Sequence, residues 1–164
     1  MLPLAISTAA AGLYMKDFLK LPYPSINAKS TGKSILVFGA SSSVGAVTVQ
    51  MAVGSGLNVV TTASARHEKL AKELGATAFF DYNDPDIVNK LIAALKSAGE
   101  FAGIYDAIAV PSTRKICAEV LQHFGGGQIA SSLWLTEGEK LPDGVTSEMG
   151  EFHVLLPCML PSLI

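Results

Sequence analysis

Between residues 39 and 45 the chain reads Gly39, Ala40, Ser41, Ser42, Ser43, Val44, Gly45, a run of small and hydroxyl-bearing residues. It follows directly on Ile35, Leu36, Val37 and Phe38, an unbroken apolar run of the kind a parallel strand buried on both faces requires. Residues 44–53 then have helical length and contain no proline. Strand, tight turn and helix N-terminus together make an anion site, because the first N–H groups of a helix lack intrahelical acceptors and point at whatever lies in the turn. Set against the dinucleotide fingerprint G-x-G-x-x-G, the turn reads Ala40-x-Ser42-x-x-Gly45, with Gly39 immediately before it. The same residues also suit a serine-rich turn that holds no ligand.

A second cluster lies about twenty residues further on, where a dinucleotide site places the residue that reads the adenosine ribose. An acid there grips the ribose diol and selects NAD. Here the segment is Thr61, Thr62, Ala63, Ser64, Ala65, Arg66, His67, with no acid before Glu68. Ser64 and His67 can hydrogen-bond a phosphate, and the planar fork of Arg66 matches one. The segment therefore attracts a 2′-phosphate and predicts NADPH as the cofactor. If no cofactor binds, Ser64 is a helix cap followed by ordinary surface charge.

The surrounding pattern supplies the elements that would position these residues. Residues 3–19 have helical spacing, with Gly12 permitting close approach, and Pro22 and Pro24 stop them. Strands are predicted over 34–38, 58–64, 77–81, 103–110 and 128–133, and helices over 44–53, 66–74, 85–97 and 113–123. The helix 113–123 is expected to bury Ile116, Val120 and Leu121. Residues 137–144 read as loop, and 151–156 as a sixth strand. This strand–helix alternation calls for an α/β fold with a doubly wound parallel sheet in three α/β/α layers. The triplet Gly32, Lys33, Ser34 imitates the end of a phosphate-binding P-loop, but it precedes the strand and Asn27 stands where the first glycine belongs.

Composition narrows the function classes. The 164 residues form one domain by length, 49% hydrophobic and 16% charged, with a net charge of -2. With no Lys/Arg cluster, nucleic acid is not an expected partner. Cys117 and Cys158 lack metal or disulfide spacing, and His67, His123 and His153 are scattered, so no metal site is predicted. The weakly apolar start has no basic leader and is interrupted by Lys16 and Asp17, and Pro157 and Pro161 break the apolar tail. Neither segment is expected to span a membrane, and a cytoplasmic location follows.

Taken in order, the stretches 3–9, 37–45, 74–76 and 80–82, with Tyr105 and Asp106, resemble the cofactor-binding Rossmann domain of the medium-chain dehydrogenase/reductase superfamily. More narrowly they are similar to zinc-independent quinone oxidoreductases and fungal trans-acting enoyl reductases. The resemblance implies that Ser41, Ser42, Ser43 and Val44 lie against a pyrophosphate, and that Ser64, Arg66, His67 and Tyr82 surround the 2′-phosphate. It implies that the end of the fourth strand, including Ala107, Ala109 and Val110, lines the nicotinamide side. Ser42 departs from the glycine found there in quinone reductases. The GroES-like catalytic domain of such enzymes is expected to be absent from these residues, so no catalytic residue is assigned. The implied function is the NADPH-binding part of an oxidoreductase that reduces an activated C=C bond or a quinone. The implied partners are a catalytic domain or polyketide synthase, and exposed apolar surface predicts self-association. A stand-alone protein that uses the same cleft without redox chemistry, as a nucleotide sensor or other binding protein, is the alternative, and an inactive truncated product is a third.

Overall fold

The computed structural model describes residues 2–135 and 138–149. In chain order the elements are α1 (Leu2–Tyr14), β1 (Lys33–Phe38), α2 (Ser43–Gly54), β2 (Asn58–Ala63), α3 (Glu68–Glu73), β3 (Ala78–Asp81), α4 (Ile87–Ala98), β4 (Glu100–Asp106), α5 (Pro111–His123), β5 (Gly127–Ser131) and β6 (Val145–Met149). The strands form one sheet in the order β3-β2-β1-β4-β5-β6. Every pairing is parallel. The fold is the expected three-layer doubly wound α/β, and its strand order reverses between β1 and β4.

The apolar run of β1 is explained by this position. Ile35 and Val37 pack on one face with Leu13, Val49, Ala52 and Tyr105, beneath α1 and α2. Leu36 and Phe38 pack on the other face with Leu91, Leu95, Cys117 and Leu121, beneath α4 and α5. A central strand with a core on each side has no polar face to show. Helix α1 closes onto the sheet through Gly12, where an added Cβ would lie 2.4 Å from the Tyr105 ring. The Tyr105 hydroxyl donates to the Thr8 carbonyl at 3.1 Å, so the buried phenol is paired.

Several boundaries differ from expectation. Helix α1 ends at Tyr14 rather than at residue 19. The chain folds back there, Leu21 N–H donating to the Leu13 carbonyl at 2.9 Å, and Leu19 fills the space over Gly103. Strand β4 runs over Glu100–Asp106 and not over 103–110, because Ala109 has φ 57, which no strand accommodates. The sixth strand is Val145–Met149, whereas the stretch predicted for it, 151–156, lies outside the described residues, as do His153 and Cys158. Its alternation, Val145 and Ser147 inward and Thr146 and Glu148 outward, was hidden by its polar residues. The Gly-Lys-Ser triplet is structural, since Lys33 pairs with Glu100 at 3.6 Å and the Ser34 hydroxyl donates to the Leu95 carbonyl at 3.1 Å.

Candidate cofactor-binding site

The predicted site residues come together along the C-terminal edge of the sheet, beside the reversal between β1 and β4, where open α/β sheets place their ligands. The turn after β1 is stitched to β2. Gly39 N–H donates to the Thr62 carbonyl at 3.1 Å and to its hydroxyl at 3.2 Å, and Ala40 N–H donates to the same carbonyl at 2.9 Å. Gly39 has φ 92, a conformation that suits glycine. Gly45 is required for a different reason, since a Cβ there would lie 2.1 Å from the Gly39 carbonyl oxygen.

Ser42 needs no glycine. Its backbone is extended, φ -77 and ψ 158, at the N-cap of α2. Its hydroxyl donates to the Gly39 carbonyl at 3.0 Å and accepts Gly45 N–H at 2.9 Å. That hydroxyl therefore belongs to the turn itself. Of the first N–H groups of α2, those of Ser43 and Val44 are left without intrahelical acceptors. Ser41 and Ser43 are exposed beside them, and Ala40 is buried.

After β2 a single helical turn, Ala65–His67, carries the second cluster. The Ser64 hydroxyl and His67 Nδ1 lie 2.9 Å apart. Arg66 is exposed and makes no hydrogen bond or ion pair among the described residues. Tyr82 joins the group from the end of β3, its N–H on the Ala63 carbonyl at 3.3 Å and its side chain 43% exposed. Asp81 anchors the cluster from below, accepting Ala65 N–H at 3.3 Å and the Asn83 side chain at 2.9 Å.

On the other side of the reversal, Ala107 and Ala109 are buried and Val110 is exposed, in a turn closed around Asp106. The Asp106 carboxylate accepts from the N–H groups of Ile108 and Ala109 and from the Thr113 hydroxyl. Burial pushes its pKa up, opposed by the Ala109 N–H, the Thr113 hydroxyl, the Ile108 N–H and the positive charge of Arg114. Arg114 is itself fully buried, pairing with Glu139 at 2.7 Å and donating to the carbonyls of Leu133 and Trp134. It holds the segment after β5 against the start of α5.

Residues 43–141 match the sequence profile of the zinc-binding dehydrogenase family. The chain belongs to that family. It is 42% identical over 144 residues to the trans-enoyl reductase himH of Aspergillus japonicus, covering 88% of this chain and 40% of that protein. An alcohol dehydrogenase superfamily protein from Novosphingobium aromaticivorans superposes with a TM-score of 0.67 at 25% identity, over 90% of this chain and 41% of that one. Escherichia coli quinone oxidoreductase, solved in complex with NADPH, shares the fold with a TM-score of 0.59 at 20% identity, over 78% of this chain and 35% of that one. The chain thus spans about 40% of the length of the enoyl reductase it matches.

The family's description names zinc, and the described residues of this zinc-binding dehydrogenase family member do not fit one. Among them no group of three or more His, Cys, Asp or Glu side chains converges. Cys117 is buried in the core, where desolvation raises its pKa well above that of a free thiol. His123 is exposed at the end of α5. Among the described residues no helix is long and apolar enough to cross a membrane. Sequence reasoning singled out Asp106 only as part of the family resemblance, without its framework role, and missed Arg114 and Glu139. The partners of Arg114 lie 19 to 25 residues away, and a lone arginine carries no spacing signal.

Proposed function

We propose that this chain is the NADPH-binding domain of an oxidoreductase that reduces an activated C=C bond, such as that of an enoyl thioester, or a quinone. The observation that carries the reading is the Gly39–Gly45 cradle, where a side chain on either glycine would collide with neighbouring atoms, at the sheet's reversal and at the N-terminus of α2. Ser41, Ser43 and Val44 would hold the pyrophosphate through the free backbone N–H groups and exposed hydroxyls. Ser42 shapes that turn from within. Ser64, Arg66, His67 and Tyr82 would hold the 2′-phosphate, and Ala107, Ala109 and Val110 would face the nicotinamide. The similarity to the trans-enoyl reductase himH and the NADPH bound to the quinone oxidoreductase support the assignment.

Once bound, the reduced nicotinamide supplies hydride to an acceptor carbon. The chain's own residues bind it, orient its ring at the sheet edge and shield one face from water. The acceptor must be held in a near-attack arrangement, which contributes on the order of 7–11 kcal/mol. We assign that task to a partner domain, and the exposed Leu133, Trp134 and Leu135 beside the crevice offer it, or a second copy of the chain, an apolar seat. Calorimetric titration tests the reading: these 164 residues bind NADPH ahead of NADH and show negligible turnover of quinones and enoyl thioesters. Binding of neither nucleotide overturns it in favour of a cleft with another ligand, and robust turnover by a monomer overturns the division of labour.

A further inference from the structure

Strand β4 ends at a carboxylate with no access to water. Asp106 is fully buried, a position that a carboxylate tolerates only when its oxygens are taken up by donors. Here Oδ1 accepts the N–H groups of Ile108 at 3.0 Å and Ala109 at 2.8 Å, and Oδ2 accepts the Thr113 hydroxyl at 2.7 Å. The oxygen of that hydroxyl accepts Val110 N–H at 3.1 Å. Ala107 N–H, the remaining one in the turn, donates to the Phe38 carbonyl at 3.0 Å. All four N–H groups of residues 107–110 are therefore consumed inside the protein.

Two consequences follow for the surface of the crevice. The wrapping holds Ala109 at φ 57, a left-handed conformation that alanine adopts only under constraint. It also lays the Ile108 side chain across the phosphate turn, where a Cβ on Gly39 would lie 2.4 Å from Ile108 Cγ1. The Val110 carbonyl is taken by Arg114 N–H at 3.0 Å. What the turn has left among the described residues is the carbonyl oxygens of Ala107, Ile108 and Ala109, which are acceptors only.

We propose that Asp106 is a positioning residue for the nicotinamide half of the cofactor: by drawing the peptide N–H groups inward it makes residues 107–109 an acceptor rim, matched to a donor such as the carboxamide –NH2. The inference rests on the NADPH reading above. It differs from that reading in assigning the selectivity of this rim to a buried side chain that touches no ligand.

Titration of the chain with NADPH and, separately, with 2′,5′-ADP, which lacks the nicotinamide half, tests both. Asp106→Ala is expected to weaken NADPH about tenfold or more while 2′,5′-ADP changes less than about twofold. Asp106→Asn, whose side-chain oxygen can still accept the two N–H groups while its amide donates to Thr113, recovers most of the loss. Thr113→Val, which removes one carboxylate partner without emptying the site, weakens NADPH about threefold and decides the matter if Asp106→Ala does not fold. Equal weakening of both ligands, or unchanged NADPH binding in both Asp106→Ala and Thr113→Val, overturns the proposal. A native chain that binds 2′,5′-ADP but gains nothing from the nicotinamide half overturns it too. Binding of neither ligand by the native chain overturns the NADPH reading itself, and the proposal with it.

Discussion

The two halves of the sheet hold their C-terminal turns by different means. On the β3-β2-β1 side the turns are held by glycines, hydroxyls and backbone groups, with no buried charge: Gly39 and Gly45 around the Ser42 cap with Thr62 behind them, and Ser64 against His67 three residues on. On the β4-β5-β6 side the turns are fixed by buried charge. Asp106 gathers the backbone of 107–110, and Arg114 reaches 25 residues along the chain to Glu139. The first kind of turn uses glycine and a hydroxyl, which cost little. The second needs charges out of water, which are tolerable only while they are paired. The consequence is an asymmetry in sensitivity. Away from Gly39 and Gly45, single substitutions of exposed side chains on the first side should alter recognition and leave the fold standing, whereas those of the buried charges on the second should reach stability.

The largest effect should come from Arg114→Met. It removes the buried Arg114 guanidinium from its pairing with Glu139, whose side chain is only 11% exposed, and strips a donor from the carbonyls of Leu133 and Trp134. Breaking a buried pair from one side typically costs about 3–5 kcal/mol. Urea denaturation of the variant should show a loss of that order. A loss below about 1 kcal/mol would mean that the segment after β5 is held by something other than charge, and would remove the contrast between the halves.

Arg66→Ala probes the opposite half. Arg66 is exposed and pairs with no described residue, so its removal should leave the unfolding midpoint essentially unchanged. Its effect should appear in recognition, as a loss of about 1.5–3 kcal/mol in the preference for NADPH over NADH, the range of a charge-assisted hydrogen bond. Parallel titrations with both nucleotides measure it. An unchanged preference would move the 2′-phosphate contact to Ser64, His67 and Tyr82. A fall in stability instead would show that this half also relies on its charges.

The same asymmetry governs how much of the molecule was legible in the sequence. The β1 turn could be read because its requirements are local: an apolar strand, a glycine where φ is positive, a small residue where helix meets strand. Even the departure at Ser42 has a local explanation, since an extended serine at an N-cap is favoured there. Strand β4 was read too far because its apolar residues continue through Ala107–Val110, and only the folded position of Asp106 reveals that the chain turns. In α5 the expected buried face was Ile116, Val120 and Leu121. The observed one includes Arg114 and Cys117, with Ile116 only partly covered. A periodicity rule sorts arginine to the surface and has no means of foreseeing its partner. Strand β6 escaped because Thr146 and Glu148 face water on an edge strand, where half the residues are free to be polar.

The smallest expected effect is the most specific test of how the β4 turn is held. If Asp106 forces Ala109 to φ 57, Ala109→Gly should relieve strain that alanine bears and glycine does not. A left-handed alanine costs about 1–2 kcal/mol. Glycine returns part of that gain, since it loses about 0.5–1 kcal/mol more conformational entropy on folding. The buried Ala109 methyl group also gives up its packing, so the net change should be a stabilisation of at most about 1 kcal/mol. For a chain of this size that corresponds to a rise in Tm of about 2–4 °C at most. Calorimetry resolves such a shift. A destabilisation greater than about 1 kcal/mol would show that the methyl group's packing, not the carboxylate beneath it, keeps this turn in its left-handed form.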